Sequence, residues 1–171
     1  RDAQAILFVA HGTAQLTIGA TRHVMTPGSY AYIPPGAQWS LFNEDDVPCG
    51  VHWVRKRYVQ GAELTLPEPI VTHESEVKAM PMPDTNGEWA TQRLVDPLDL
   101  RHDCHVNLVN FLPGARIPFA ETHVMEHGLY VLQGTAEYLL NTDWVSVGPG
   151  DFMWLRAFCP QACIATGTEP F

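Results

Sequence analysis

The chain has 171 residues, 46% hydrophobic and 17% charged. That is the balance of a folded chain long enough to bury a core, not of a disordered one. Ten basic against nineteen acidic residues leave a net charge of -9, which argues against nucleic acid or an anionic membrane surface as partner. No apolar run approaches a membrane span, and the start Arg1-Asp2-Ala3-Gln4 lacks the form of a signal peptide. A cytoplasmic chain is therefore expected, with Cys49, Cys104, Cys159 and Cys163 as reduced thiols rather than a disulfide framework.

In chain order, Ile6 to Ala10 is a short apolar run that reads as a strand, and Gln15-Leu16-Thr17-Ile18 alternates before a turn at Gly19. Pro27-Gly28 marks a turn, Tyr30 to Ile33 an aromatic strand, and Val51 to Tyr58 a further strand. Residues 59–101 carry Pro67, Pro69, Pro81, Pro83 and Pro97 and read as a connection with strands of its own. Beyond it, Leu129 to Leu132 and Phe152 to Leu155 repeat the earlier strands. Fourteen prolines and thirteen glycines leave little room for long helices. The expected class is all-β, a sandwich or barrel.

Sliding the sequence on itself gives one clear register, at an offset of 122 residues. Leu7/Leu129, Val9/Val131, Gly12/Gly134, Thr13/Thr135, Ala14/Ala136, Pro27/Pro149 and Gly28/Gly150 then match without a gap. Glycines at the same turns in one ungapped register point to an internal duplication. The expected division is 1–58 as first copy, 59–101 as connection and 102–171 as second copy. The first copy begins at the equivalent of His123 and the second ends at the equivalent of Cys49, so a fragment truncated at both ends is expected.

The chemistry concentrates in Glu121-Thr122-His123-Val124-Met125-Glu126-His127. Two imidazoles and two carboxylates so close together are costly to bury without partners. If the segment is extended, Glu121, His123 and His127 share one face and Glu126 points away. If it is helical, His123 and His127 share a face at i, i+4, and His-x-x-Glu-His matches the inverzincin metalloprotease signature with Glu126 as base. Pro118, the β-rich run after Gly128 and the strand pattern of the first copy favour the extended form. The other histidines, His11, His23, His52, His73, His102 and His105, have no ligand spacing and read as surface or structural groups. Tyr30, Tyr32, Trp39, Phe152 and Trp154 read as core aromatics, and Cys159 and Cys163 as small packing groups.

Gly114, then Glu121-x-His123-x3-His127-x6-Gly134, resembles the first motif of the cupin superfamily, and Pro149-Gly150-Asp151 with Pro160 and Gln161 resembles the second. That resemblance implies two jelly-roll barrels, a bicupin, with a metal set of Glu121, His123, His127 and Gln161. Two imidazoles, a carboxylate and an amide form a mixed N/O set suited to an octahedral divalent ion such as Mn²⁺. The amide cannot titrate, so the carboxylate and imidazoles must carry any pH dependence of binding. The first copy has Arg1, Ala5 and Trp39 at the positions of His123, His127 and Gln161; it is expected to bind no metal and to serve as scaffold or interface.

The Glu-Thr-His-Val-Met-Glu-His run with a ligand-position glutamine is similar to one family in particular, the (S)-ureidoglycine aminohydrolases, two-cupin manganese-dependent enzymes of allantoin and purine breakdown. The similarity is tight over Glu121 to Gln161 and looser over the first copy. It implies hydrolytic release of ammonia from (S)-ureidoglycine to give (S)-ureidoglycolate, with Glu121 managing protons and, with Tyr138, meeting the substrate. A lysine that contacts substrate in that family falls beyond Phe171. The alternatives are another metal-dependent cupin enzyme, an isomerase or dioxygenase, and a non-catalytic small-ligand-binding cupin. The expected partners are a small-molecule substrate and further copies of the chain in a homo-oligomer, with no nucleic acid and no membrane.

Overall fold

The computed structural model describes residues 2–171, and the chain in it divides into two compact units. The first takes the chain as far as Lys78 together with Gln92–Leu108; the second takes Ala79–Thr91 and Val109–Phe171. Of the sequence equivalences above, Arg1 lies outside the described residues.

The first unit holds β1 (Ala3–His11), β2 (Ala14–Ile18), β3 (Thr21–Met25), β4 (Ser29–Ile33), β5 (Trp39–Phe42), β6 (Gly50–Arg57) and β7 (Ile70–His73). Two antiparallel sheets form, ordered β6-β1-β4-β7 and β3-β2-β5. Ala5, Leu7 and Val9 of β1 and Ala31 and Ile33 of β4 meet Leu16 of β2 and Met25 of β3 in one core. The alternate residues Ile6, Phe8, Tyr30 and Tyr32 face the other way, yet they too are buried, under Leu94 and Val95 with Cys104, Val106 and Leu108 packed alongside. Burial on both faces is why β1 and β4 read as continuous apolar runs instead of alternating ones.

The connection does carry strands of its own: β7, β8 (Met80–Pro81) and β9 (Trp89–Arg93), the last two forming a sheet with β10 (Asn107–Phe111) in the order β10-β9-β8.

The second unit adds β11 (His127–Tyr130), β12 (Ala136–Leu140), β13 (Asp143–Val147), β14 (Phe152–Leu155) and β15 (Gln161–Ala165). These form a β11-β14 pair and a β13-β12-β15 sheet. Its core gathers Phe111, Ile117, Val131, Tyr138, Val147, Met153, Leu155 and Cys163, with Trp89 stacked on Phe111 at 5.3 Å. Among the described residues there is one 3-10 turn, Glu74–Glu76, and no α-helix. All four cysteines are free. Among the described residues no helix is long and apolar enough to cross a membrane.

The 122-residue offset recurs in the backbone. Ala14 pairs with Met25 and Ile18 with Trp39 in the first unit; Ala136 pairs with Val147 and Leu140 with Gln161 in the second. Positive φ recurs at Gly12 and Gly134, Gly19 and Asn141, Gly28 and Gly150, and Gly36 and Phe158. A glycine is needed at the first of these pairs. A Cβ on Gly12 would stand 2.5 Å from the Pro48 carbonyl oxygen, and one on Gly134 would stand 2.4 Å from that of Pro170.

The outer faces of the two units differ. The positions of Ile6, Phe8, Tyr30 and Tyr32 are taken in the second unit by Gly128, Tyr130, Phe152 and Trp154. There Phe152 is 66% and Trp154 59% exposed. The expectation that Phe152 and Trp154 are core aromatics is therefore corrected. Met153 and Leu155 are the inward residues of β14, because alternation can turn only every second residue toward a single core. The Arg156 guanidinium lies 5.3 Å from the Trp154 ring.

Candidate metal centre

The segment carrying the sequence cluster is neither helix nor continuous strand. Glu121 forms an isolated antiparallel bridge with Gln161, each amide nitrogen donating to the other's carbonyl oxygen at 2.9 Å. Residues 122–126 are irregular, and β11 begins at His127. The strand edge expected across the whole run is thus interrupted, and the helix that a metalloprotease site requires is absent. Alternation survives at the residues that matter: Glu121, His123 and His127 are half-buried, while Thr122 and Glu126 are exposed. Main-chain bonds hold the loop. The Phe158 amide donates to the His123 carbonyl at 2.7 Å, which ties the loop to the turn before β15.

Gln161, only 3% exposed at the start of β15, is the centre of the side-chain geometry. Its amide nitrogen donates to His123 Nε2 at 3.0 Å. Its Oε1 accepts from the Tyr138 hydroxyl at 3.0 Å and from His127 Nε2 at 3.2 Å. The two imidazole rings stand 4.7 Å apart, inclined at 71°. Tyr138 comes from β12, where its register partner is Cys163 on β15. His127 pairs with Leu155 on β14. Two sheets and a loop thus deliver one cluster.

His123 Nδ1 donates to the Met125 carbonyl at 2.9 Å, because a carbonyl oxygen can only accept. In the neutral ring this leaves Nε2 as the lone-pair nitrogen, which accepts from the Gln161 amide here and would have to give up that bond to hold a cation. Orientation of a ligating imidazole by a backbone carbonyl is the usual arrangement at metal sites. His127 carries its proton on Nε2 in this arrangement; that proton must leave or move to Nδ1 before Nε2 can ligate. Burial, reinforced by the nearby His123, holds the His127 pKa below the ordinary imidazole value. The bond to Gln161 and the Glu121 charge act the other way. Burial pushes the Tyr138 phenol up, with Cys163, Glu121 and Cys159 adding to it, so Tyr138 stays a neutral donor. Burial likewise pushes the Cys163 thiol up to about 12, which removes it as a thiolate ligand.

Among the described residues no three His, Cys, Asp or Glu side chains group around a cation position. What converges instead is a mixed set: two imidazole nitrogens on one amide, with the Glu121 charge felt at both His127 and Tyr138. These neutral nitrogen and hard oxygen donors fit a divalent ion of the Mn²⁺ type better than a thiophilic one. In the first unit, Ala5 and Trp39 occupy the His127 and Gln161 positions, as their pairing with Ile33 and Ile18 shows. The Met125 carbonyl had no signal in the sequence, since any residue supplies one.

The Cupin domain family matches residues 1–55 and 107–171. The (S)-ureidoglycine aminohydrolase of Arabidopsis thaliana is 31% identical over 168 residues, covering 98% of this chain and 54% of that protein. The (S)-ureidoglycine aminohydrolase of Escherichia coli K12 is 27% identical over 164 residues, covering 96% of this chain and 62% of that protein. The chain therefore spans little more than half the length of these curated relatives. Among solved structures, a putative glyoxylate-induced protein from Pseudomonas aeruginosa superposes with a TM-score of 0.94 at 55% identity, covering 99% of this chain and 64% of that one. With two sheets around one core in each unit and a family match on both, the chain belongs to the cupin family.

Proposed function

We propose that this chain is part of a metal-dependent hydrolase of the (S)-ureidoglycine aminohydrolase type, which releases ammonia from (S)-ureidoglycine and yields (S)-ureidoglycolate. The observation that carries the reading is the convergence of His123 and His127 on the buried Gln161 amide. The names of the curated relatives support it. In this reading the chain is a bicupin built by duplication, with a first cupin in 1–58, a connection in 59–101 and a second cupin in 102–171. His123, His127, Gln161 and Glu121 hold Mn²⁺ in the second cupin.

When bound by these residues, the ion would supply Lewis acidity. The other contributions come from the chain. Tyr138, held neutral, donates to Gln161 Oε1 and keeps the amide in one orientation while its ring lines the site. Glu121 is the proton carrier: its carboxylate takes a proton from the attacking water and passes one to the departing amine, as the new C–O bond replaces the C–N bond and ammonia leaves.

The test is ammonia release from (S)-ureidoglycine by Mn²⁺-loaded protein and by Glu121→Gln. The substitution is expected to lower turnover by about 100-fold or more while metal content stays measurable. Full turnover with metal bound would remove Glu121 from this role, and no ammonia from wild type would remove the activity. The reading also includes a cytoplasmic homo-oligomer acting on a small molecule, with no nucleic acid or membrane partner. Sedimentation velocity that shows only monomer would rule out the oligomer.

A further inference from the structure

The turn before β15 holds a conformation that its own residues disfavour. The Cys159 amide donates to the Arg156 carbonyl at 3.0 Å, and Phe158 has φ +61 while Ala157 stays negative. That is the pattern of a type II turn, whose third position favours glycine. The first unit has a glycine there: Ala37 donates to the Pro34 carbonyl at 3.4 Å across Gly36, at φ +82. Among the described residues Phe158 is the only aromatic one at positive φ. For so bulky a side chain this is an outlier.

Types I and II differ by a flip of the peptide between the two central residues, here Ala157 and Phe158. The flip decides which group faces the ligand loop. As folded, the Phe158 N–H donates to the His123 carbonyl at 2.7 Å. With Phe158 at negative φ, the same peptide would present the Ala157 carbonyl instead, and two acceptors would meet. The strain at Phe158 is thus the condition for this bond.

The bond joins two donor-bearing stretches. His123 is on the loop, and Gln161 follows Phe158 by three residues. The Glu121–Gln161 pair closes one side with reciprocal bonds of 2.9 Å, and Phe158–His123 closes the other. Between Glu121 and β11 it is the loop's only main-chain bond among the described residues. With its carbonyl held, His123 keeps Nδ1 on Met125 and Nε2 at 3.0 Å from the Gln161 amide nitrogen.

We infer that Phe158 is a positioning residue for the metal centre: its left-handed turn conformation aims the amide that holds His123 opposite Gln161. The inference rests on the reading of this cluster as a metal site. It assigns the role to the backbone of Phe158 and not to its ring.

The experiment measures Mn²⁺ affinity by calorimetry on the full chain, well below the melting temperature of each variant. Phe158→Val, whose branched side chain resists the left-handed region, is expected to bind about tenfold more weakly than wild type, or worse. Phe158→Gly, which takes positive φ freely, is expected to recover about tenfold over Phe158→Val and to melt no lower than wild type. Asn86→Val is the control for strain alone. Asn86 has φ +51 in the Thr85–Glu88 turn between β8 and β9, so this variant should melt lower yet bind Mn²⁺ as wild type does. Equal affinity in Phe158→Val and wild type overturns the inference and leaves the metal reading standing. So does binding in Phe158→Gly as weak as in Phe158→Val, which would assign the role to the ring, or equal weakening in Asn86→Val. A wild type that binds no Mn²⁺ overturns the metal reading itself, and this inference with it.

Discussion

Replacing His127 with alanine is expected to lower Mn²⁺ affinity by about 100-fold or more, with loss of ammonia release in proportion. Outer partners of metal ligands alone are worth 10–100-fold, and His127 is one of only two imidazoles in the cluster. Elemental analysis after gel filtration reads the metal, and circular dichroism checks that the fold persists. Half-buried at the start of β11, His127 can shrink to alanine with modest structural cost, since the first unit has Ala5 at that place.

The pH dependence of the unaltered protein belongs to the same prediction. The folded-state pKa of His127 lies below the ordinary imidazole value of 6.5. The neutral ring is therefore available at neutral pH, and binding is fully present above about 6.5. It is lost as pH falls through the lowered folded pKa, when protons take the lone pairs. A metal-binding midpoint well above 6.5 would contradict the neutral-ring assignment.

Gly134→Ala is expected to destabilise the second unit by about 3 kcal/mol, lowering its melting temperature by roughly 12–24 °C. Two costs add. At φ +72 an L side chain is strained, and the new Cβ would meet the Pro170 oxygen at 2.4 Å and the Phe171 Cα at 2.8 Å. Neither contact can yield by rotating a side chain. Phe171 is also held by reciprocal main-chain bonds to Phe111 at 2.8 and 2.9 Å, so the terminal segment cannot step aside freely. Gly114→Ala separates the two costs, because φ there is +80 but no atom lies within 4 Å of the added Cβ. It should cost about 1 kcal/mol, the strain alone. Equal melting curves for the two variants would show that the Pro170 approach is not tight in solution.

Much of the architecture was legible in the sequence because the duplication imposes one spacing on every turn. Gly12 with Gly134 and Gly28 with Gly150 are visible as letters, and their φ values agree in sign. Gly19 with Asn141 and Gly36 with Phe158 are less visible, since asparagine and phenylalanine take the left-handed conformation where a glycine stood. The aromatic strands were harder. Tyr30-Ala31-Tyr32-Ile33 and Phe152-Met153-Trp154-Leu155 look alike as sequence, but the first is buried on both faces and the second on one. A strand cannot report whether another segment covers its far side; Leu94 and Val95, far along the chain, decide that for the first.

The sequence by itself determined the all-β class, the 122-residue repeat and the candidates Glu121, His123, His127 and Gln161, because spacing and residue chemistry are local properties. Only the tertiary structure decided how those side chains meet. It set the Glu121–Gln161 bridge in place of a continuous strand and the carbonyl of Met125 that turns His123 Nε2 toward the amide. These depend on which strands become neighbours, and pairing across tens of residues is selected by the burial of whole sheets rather than by any one stretch of chain.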